Sequence, residues 1–371
     1  MARRCLASLF GLSLAYLGLP LTPAASASVL DQTAHALDRG ATETPAPVVP
    51  TGVARIGAGP ALNADGSLVN NGGPAKTAAV AILDTGIMPR PDLNVVGGHD
   101  CSGGDGTTAD GNGHGTHVAG IIADKGIPGV IGVSPGTPLY AVRVFDASGT
   151  GAVSNVICGL NWVAENARAD NIKVVNMSLG GEGSDDGHCG ETDGDAFHAA
   201  VCRVTGEGVT VVAAAGNNDA NLAGSTPAAY PEVLTVTAMS DFDGRPGGQG
   251  VAPPCKDGKA DDIAADFSDY ATPGSAEAEH TIAAPGVCIT STWKDGGTKT
   301  ISGTSMASPH VAGLVARCIE AGPCARLTPA QIIAKLRSDA ASKAADRGFD
   351  GDPDHPIHGK YYGYLATDVG Y

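Results

Sequence analysis

Five largely apolar runs punctuate the chain: Ala78 to Leu83, Leu139 to Phe145, Ile172 to Met177, Val209 to Ala214 and Val233 to Ala238. Each has strand length and little apolar–polar alternation, the pattern of a strand covered on both faces. Between them lie segments of helix length. Val156, Leu160 and Val163 recur at helical spacing and predict a helix over Ser154 to Ala169, and Ala196 to Gly206 predicts another. Thr328-Pro329-Ala330-Gln331 is a helix start, with Thr as N-cap, Pro at the first helical position and Gln closing a capping box. Strand and helix in alternation imply βαβ units, hence an α/β fold around a mostly parallel sheet. Phe242 to Asp262 breaks the pattern. It is rich in Gly, Pro and Asp and reads as a surface insertion rather than a second domain.

The amino terminus follows another logic. Arg3 and Arg4 precede Leu6 to Leu19, an uncharged apolar run too short to span a bilayer comfortably, and Ala25-Ser26-Ala27 is a small-residue cleavage site. Residues 1–27 are therefore expected to be a secretory signal peptide. Residues 28–50, rich in Ala, Thr and Pro, are expected to be a tail or short pro-segment, and residues 51–371 one domain. Loss of the signal removes one of nine cysteines, leaving Cys101, Cys158, Cys189, Cys202, Cys255, Cys288, Cys318 and Cys324. An even number in an exported chain reads as disulfides. Cys318 with Cys324 and Cys189 with Cys202 are plausible short loops, which leaves the other four for longer links. No Cys-x-x-Cys pair points to a metal.

Composition narrows the functions. The net charge of −16, two units more negative once Arg3 and Arg4 are gone, removes the electrostatic basis for binding nucleic acid or an anionic membrane surface. Only 4% of residues are aromatic, too few for a base-stacking platform. Three segments carry candidate chemistry. Asp84 ends the first apolar run in Leu83-Asp84-Thr85-Gly86, His114 opens a small-residue stretch in Asn112-Gly113-His114-Gly115-Thr116-His117, and Ser305 follows Gly303-Thr304. Read singly, Asp84 is a turn residue, His114 a structural histidine and Ser305 an N-cap. His114 and His117 are spaced i, i+3 without the His-Glu-x-x-His pattern of a zinc site. A helix starting near Ser305 would place Pro309 in its first turn, where proline is tolerated.

Read together, the segments are more specific. Ala81 to Ile87, His114 to Gly120 and Gly303-Thr304-Ser305-Met306-Ala307-Ser308-Pro309-His310-Val311-Ala312-Gly313 resemble the three signature motifs of the subtilisin-like serine proteases, in the chain order Asp, His, Ser. The resemblance implies a three-layer sandwich with helices on both faces of the sheet. It implies a secreted endopeptidase with Ser305 as nucleophile, His114 as general base and acid, and Asp84 orienting the imidazole. Asn217, in Ala214-Ala215-Gly216-Asn217, and the Ser305 backbone N–H match the oxyanion donors. Gly149-Thr150-Gly151 and Ser178-Leu179-Gly180 match the two strands that hold an extended peptide, and Thr226-Pro227 matches a cis bond near the pocket. No acidic residue is placed to bind a basic P1 side chain, so broad cleavage after apolar or aromatic residues is expected. The expected partners are protein or peptide substrates and the expected state is a monomer. The chemistry needs no cofactor, and structural calcium is the one ion the family suggests. Asp92 matches a calcium ligand, but the partner loop starting at Asp124 is short. Cys255 in the insertion is expected to pair with Cys288. Phe349 to Asp354, with alternating aspartates, is expected to be a solvated turn rather than a calcium loop. Two other readings stay open: an inactive subtilase-fold binding protein, and a metallohydrolase built on His114, His117 and the aspartates.

Overall fold

The computed structural model describes residues 11–13, 48–59, 77–126, 129–256 and 260–371. Apart from 11–13 and 48–50, the expected signal segment and tail lie outside the described residues.

An eight-stranded sheet organises the chain. Its strands are β1 (Ala79–Asp84), β2 (Val95–Asp100), β3 (Leu139–Arg143), β4 (Ile172–Met177), β5 (Thr210–Ala214), β6 (Val233–Ser240), β7 (Ile263–Ala264) and β8 (Thr281–Pro285), and the order runs β7-β6-β5-β4-β1-β3-β2 with β8 also on β6. Every pairing is parallel except the short β6–β7 one. The five apolar runs are therefore strands, with ends shifted by no more than two residues.

The helices are α1 (Thr51–Arg55), α2 (His114–Ala123), α3 (Val153–Asn166), α4 (Ala196–Gly206), α5 (Thr304–Ala321) and α6 (Pro329–Ser342), followed by one turn at Ala344–Arg347. Successive side chains of a strand point to opposite faces, and β1 supplies two cores on that rule. Val80 and Ile82 pack with residues of α2, α5 and α6, while Ala79, Ala81 and Leu83 pack with residues of α3 and α4. The result is the expected three-layer sandwich. The capping box at Thr328 and Gln331 closes as expected.

The eight cysteines among the described residues all pair: Cys101–Cys158, Cys189–Cys202, Cys255–Cys288 and Cys318–Cys324. The first ties the end of β2 to α3. The Thr226–Pro227 bond is cis.

The insertion at 242–262 departs from a purely surface loop. Its last residues, Asp261 and Asp262, are buried and gather its turns: Asp261 accepts from Phe242 N and Gly250 N, and Asp262 from Gly247 N and Gly248 N. Asp262 also takes Arg55 Nε of α1 at 2.8 Å. The Gly-rich turns have no ladder to satisfy their N–H groups, so buried carboxylates do it. Neighbouring Asp241 is less well provided. It lies 3.4 Å from the same guanidinium, and its Oδ1 finds no hydrogen-bond donor. Burial outweighs Arg55 and pushes its carboxyl up to about 8.

That shift fixes a pH dependence. An unfolded chain releases the Asp241 proton near pH 4, whereas the folded chain keeps it to about pH 8. The folded state binds more protons across this window, so this group lowers stability as pH rises through it. Urea unfolding at pH 5 and pH 8 should show a smaller loss for Asp241→Asn than for the parent. An equal loss would contradict the assignment.

Candidate functional site

In a parallel sheet the carboxyl ends of neighbouring strands share one edge, where functional groups gather. Asp84 ends β1, Ser178 follows β4 and Asn217 lies three residues beyond β5, so all three arrive at that edge. Asp84 is fully buried. Its Oδ1 accepts from Thr85 N at 2.7 Å, and its two oxygens lie 2.8 and 2.9 Å from His114 Nδ1. His114 is the first residue of α2, and the glycines around it show why the motif needs them. A Cβ at Gly115 would sit 2.1 Å from the Gly86 carbonyl oxygen, and one at Gly113 would sit 2.4 Å from the Trp293 ring. Without side chains there, the start of α2 presses against the end of β1.

Asp110 was not apparent from the sequence, yet it builds this junction. It is buried and accepts from Asn112 N, Gly113 N, Thr116 N and Thr116 Oγ1, and from Thr85 Oγ1 at 2.8 Å. Its signal was an Asp three residues before a glycine-rich helix start, the spacing of a side chain that takes up free N–H groups. His117 belongs elsewhere. Its Nε2 donates to Ile289 O and Lys299 O, and burial lowers its imidazolium to about 3, so it stays neutral. Fully buried, with Nε2–H donating to backbone carbonyls, His117 is packed as a core histidine.

The serine segment differs from expectation in two respects. The N-cap of α5 is Gly303, so Ser305 is the second helical residue and not the cap. Pro309 consequently lies beyond the first turn, inside the helix. Proline has no N–H to give to the carbonyl four residues back, which here is that of Ser305. The Ser178 hydroxyl donates to that carbonyl instead, at 2.8 Å. Asn176 Nδ2 donates to Ser178 Oγ at 3.0 Å, and Ser308 Oγ donates to Asn176 Oδ1 at 2.8 Å. The Ser305 hydroxyl in turn donates to Ser178 O at 3.2 Å. A buried polar chain thus fills the gap that proline opens, and it joins the end of β4 to the first turns of α5.

Asn217 is oriented from the same helix. Thr304 N donates to its Oδ1 at 2.8 Å and Thr304 Oγ1 at 3.0 Å. Because a backbone N–H can only donate, the facing atom must be the amide oxygen, which turns the NH₂ outward. The Ser305 N–H, in the first turn of α5, is among those without an intrahelical acceptor. The loop carrying Asn217 is held by buried Asp269, whose Oδ1 accepts from Asn218 N and Ala220 N. Asp269 is far away in sequence and gave no local signal.

The two expected substrate segments flank a slot. Thr150–Ala152 is a strand, Gly149 turns the chain into it with φ +81°, and a Cβ at Gly151 would meet Val144 O at 2.5 Å. Ser178 and Leu179 are buried and Gly180 is half-buried ahead of the strand Gly181–Glu182. Gly11–Ser13 pairs antiparallel with Thr150–Ala152 and also lies against Gly181–Glu182. An extended backbone therefore fits between the two strands. Both oxygens of Asp92, the expected calcium ligand, accept from Arg90. In 349–354 a turn forms as expected, but Asp352 is buried rather than solvated. It accepts from Phe349 N, Asp354 N and His355 N, closing the turn.

The proline-compensating contact has a measurable consequence. Ser178→Ala should strand the Ser305 carbonyl and cost about 1–3 kcal/mol of unfolding free energy. In a Pro309→Ala background, which restores the helical N–H, the same change should cost less, with a coupling of about 0.5 kcal/mol or more. Additive losses in urea unfolding would contradict the contact.

Residues 75–355 match the model of the subtilase family. The chain is 38% identical over 276 residues to subtilisin Savinase of Lederbergia lenta, covering 74% of this chain and 86% of that one. It is 37% identical over 298 residues to a subtilisin of Bacillus pumilus, covering 79% and 91%. With the M-protease of Shouchella clausii (strain KSM-K16) the identity is 38% over 281 residues, 76% of this chain but only 62% of the relative. Among solved structures, a cold adapted subtilisin-like serine proteinase matches with a TM-score of 0.64 at 30% identity, over 87% of this chain and 99% of the other. The chain belongs to the subtilase family, the subtilisin-like serine proteases.

Proposed function

We propose that the chain is a secreted serine endopeptidase that cleaves peptide bonds through an acyl-enzyme on Ser305. The observation that carries the reading is the Asp84 carboxylate set 2.8 Å from His114 Nδ1. It favours the tautomer with the proton on Nδ1, leaving Nε2 basic, and it would stabilise the imidazolium once Nε2 takes a proton. In the proposed sequence His114 accepts the Ser305 hydroxyl proton as Oγ bonds to the scissile carbonyl carbon. The carbonyl oxygen becomes an oxyanion facing Asn217 Nδ2 and Ser305 N. Collapse breaks the C–N bond, and His114 returns the proton to the departing amine. Water then repeats the cycle on the ester, releasing the acid and restoring Ser305. The apo hydroxyl rests on Ser178 O, and a substrate strand would have to displace it, in keeping with the loose hydrogen bonds common in empty sites.

The slot beside Thr150–Ala152 supports binding of an extended peptide by backbone pairing. Ser178 to Gly180 carries no charge, which supports an apolar or aromatic P1 residue and broad specificity. The acidic balance argues against nucleic acid, the four disulfides suit an extracellular protein, and we propose a monomer. An inactive binding protein of this fold would need none of Asp84, His114, Asn217 and Ser305, and the sequence carries all four.

Casein hydrolysis by the purified mature chain tests the proposal. Ser305→Ala should abolish it. Asn217→Ala should lower kcat by about a hundred- to a thousandfold with little change in KM, the size of loss known for one oxyanion donor of subtilisin. A Ser305→Ala variant as active as the parent would overturn the assignment.

A further inference from the structure

The resemblance to subtilases implies calcium at Asp92, and the described residues around it do not fit the ion. Asp92 is buried. Arg90 Nε lies 2.9 Å from its Oδ1 and Arg90 Nη2 2.6 Å from its Oδ2, a bidentate fork that uses both oxygens. The main chain is committed as well. The Asp92 carbonyl accepts from Lys125 N at 3.0 Å, and the Asp124 carbonyl from Gly132 N at 2.9 Å. The Asp124 side chain turns to Gly126 N at 2.7 Å and to the Thr292 hydroxyl. Calcium needs six to eight oxygens around one point. Here the carboxylate and carbonyl oxygens of Asp92 and Asp124 already accept from guanidinium, backbone or hydroxyl donors.

We propose that the Arg90 guanidinium is the resident cation of this locus and does in this chain what a bound calcium would do: it neutralises buried Asp92 and pins the surrounding loops. Its third contact shows what it pins. Arg90 Nη1 donates to the Trp293 carbonyl at 2.9 Å, and the Trp293 ring lies where a Cβ on Gly113 would go, against the residue before His114. The same ring stands edge-on to His117 with centroids 6.1 Å apart. Arg90 therefore connects the Asp92 turn to the start of α2. A covalently attached cation cannot be removed by a chelator, so this locus is indifferent to free calcium.

Thermal unfolding of the full mature chain in millimolar calcium and in EGTA tests this, comparing the parent, Arg90→Gln and the charge-free pair Arg90→Gln/Asp92→Asn. Arg90→Gln leaves Asp92 buried and unpaired and should lower Tm by several degrees in both conditions. Removing the Asp92 charge as well should recover most of that loss. If Arg90→Gln does not fold, a folded double variant makes the same point. The difference in Tm between calcium and EGTA, which includes any binding elsewhere, should be equal in the parent and the double variant. A calcium-induced rise present in the parent and lost in the double variant would overturn the proposal by showing that Asp92 binds the ion. So would an Arg90→Gln variant as stable as the parent.

Discussion

The Ser178 hydroxyl donates at 2.8 Å to the carbonyl of Ser305, and the geometry of the site rests on that contact. Pro309 removes the N–H that would otherwise bind this carbonyl, so the second residue of α5 cannot be satisfied within its own helix. A buried carbonyl without a partner costs about 1–3 kcal/mol. The partner comes from the end of β4, the segment that also walls the peptide slot. The nucleophile candidate and the substrate wall are thus held by one polar chain running through Asn176 and Ser308. Thr304, the residue before Ser305, orients Asn217 in the same way from β5's end. A single helix start positions three elements, which is why a proline and several small residues cluster within Gly303 to Gly313.

How much of this could be read in the sequence depended on the range of each interaction. The strands were legible because burial on both faces leaves a local apolar run. Asp84, His114, Asn217 and Ser305 were legible because each needs glycine or alanine neighbours where backbones touch. Gly115 against Gly86 is the clearest example. The cysteine pairs at short spacing were legible from loop length alone.

What escaped reading was set by partners distant in sequence. Asp269 holds the Asn217 loop across some fifty positions, and nothing near it marks that role. Asp261 and Asp262 end a segment read as a surface insertion, yet they are buried where the turns supply backbone donors and Arg55 supplies charge. Asp352 turned inward for the same reason. Ser305 read as an N-cap because serine favours that position, but the cap is Gly303 and the helix starts two residues earlier. Arg90 was read past, although it stands two residues before Asp92. A pattern that pairs Asp92 with a metal gives no weight to a neighbouring cation. A common theme is that this acidic chain buries carboxylates by surrounding them with backbone N–H groups, and with arginine at Asp92 and Asp262.

The central claim is that Ser305 is activated by the Asp84–His114 pair. Mapping the site of reaction with a serine-directed phosphonate tests it most directly. The purified mature chain, confirmed as folded, is treated with the reagent, digested and sequenced by mass spectrometry. The account predicts one adduct per chain, on the peptide carrying Ser305, and a strongly reduced rate of labelling in His114→Ala. A folded parent chain that takes up no phosphonate, or takes it up at another residue, would contradict it.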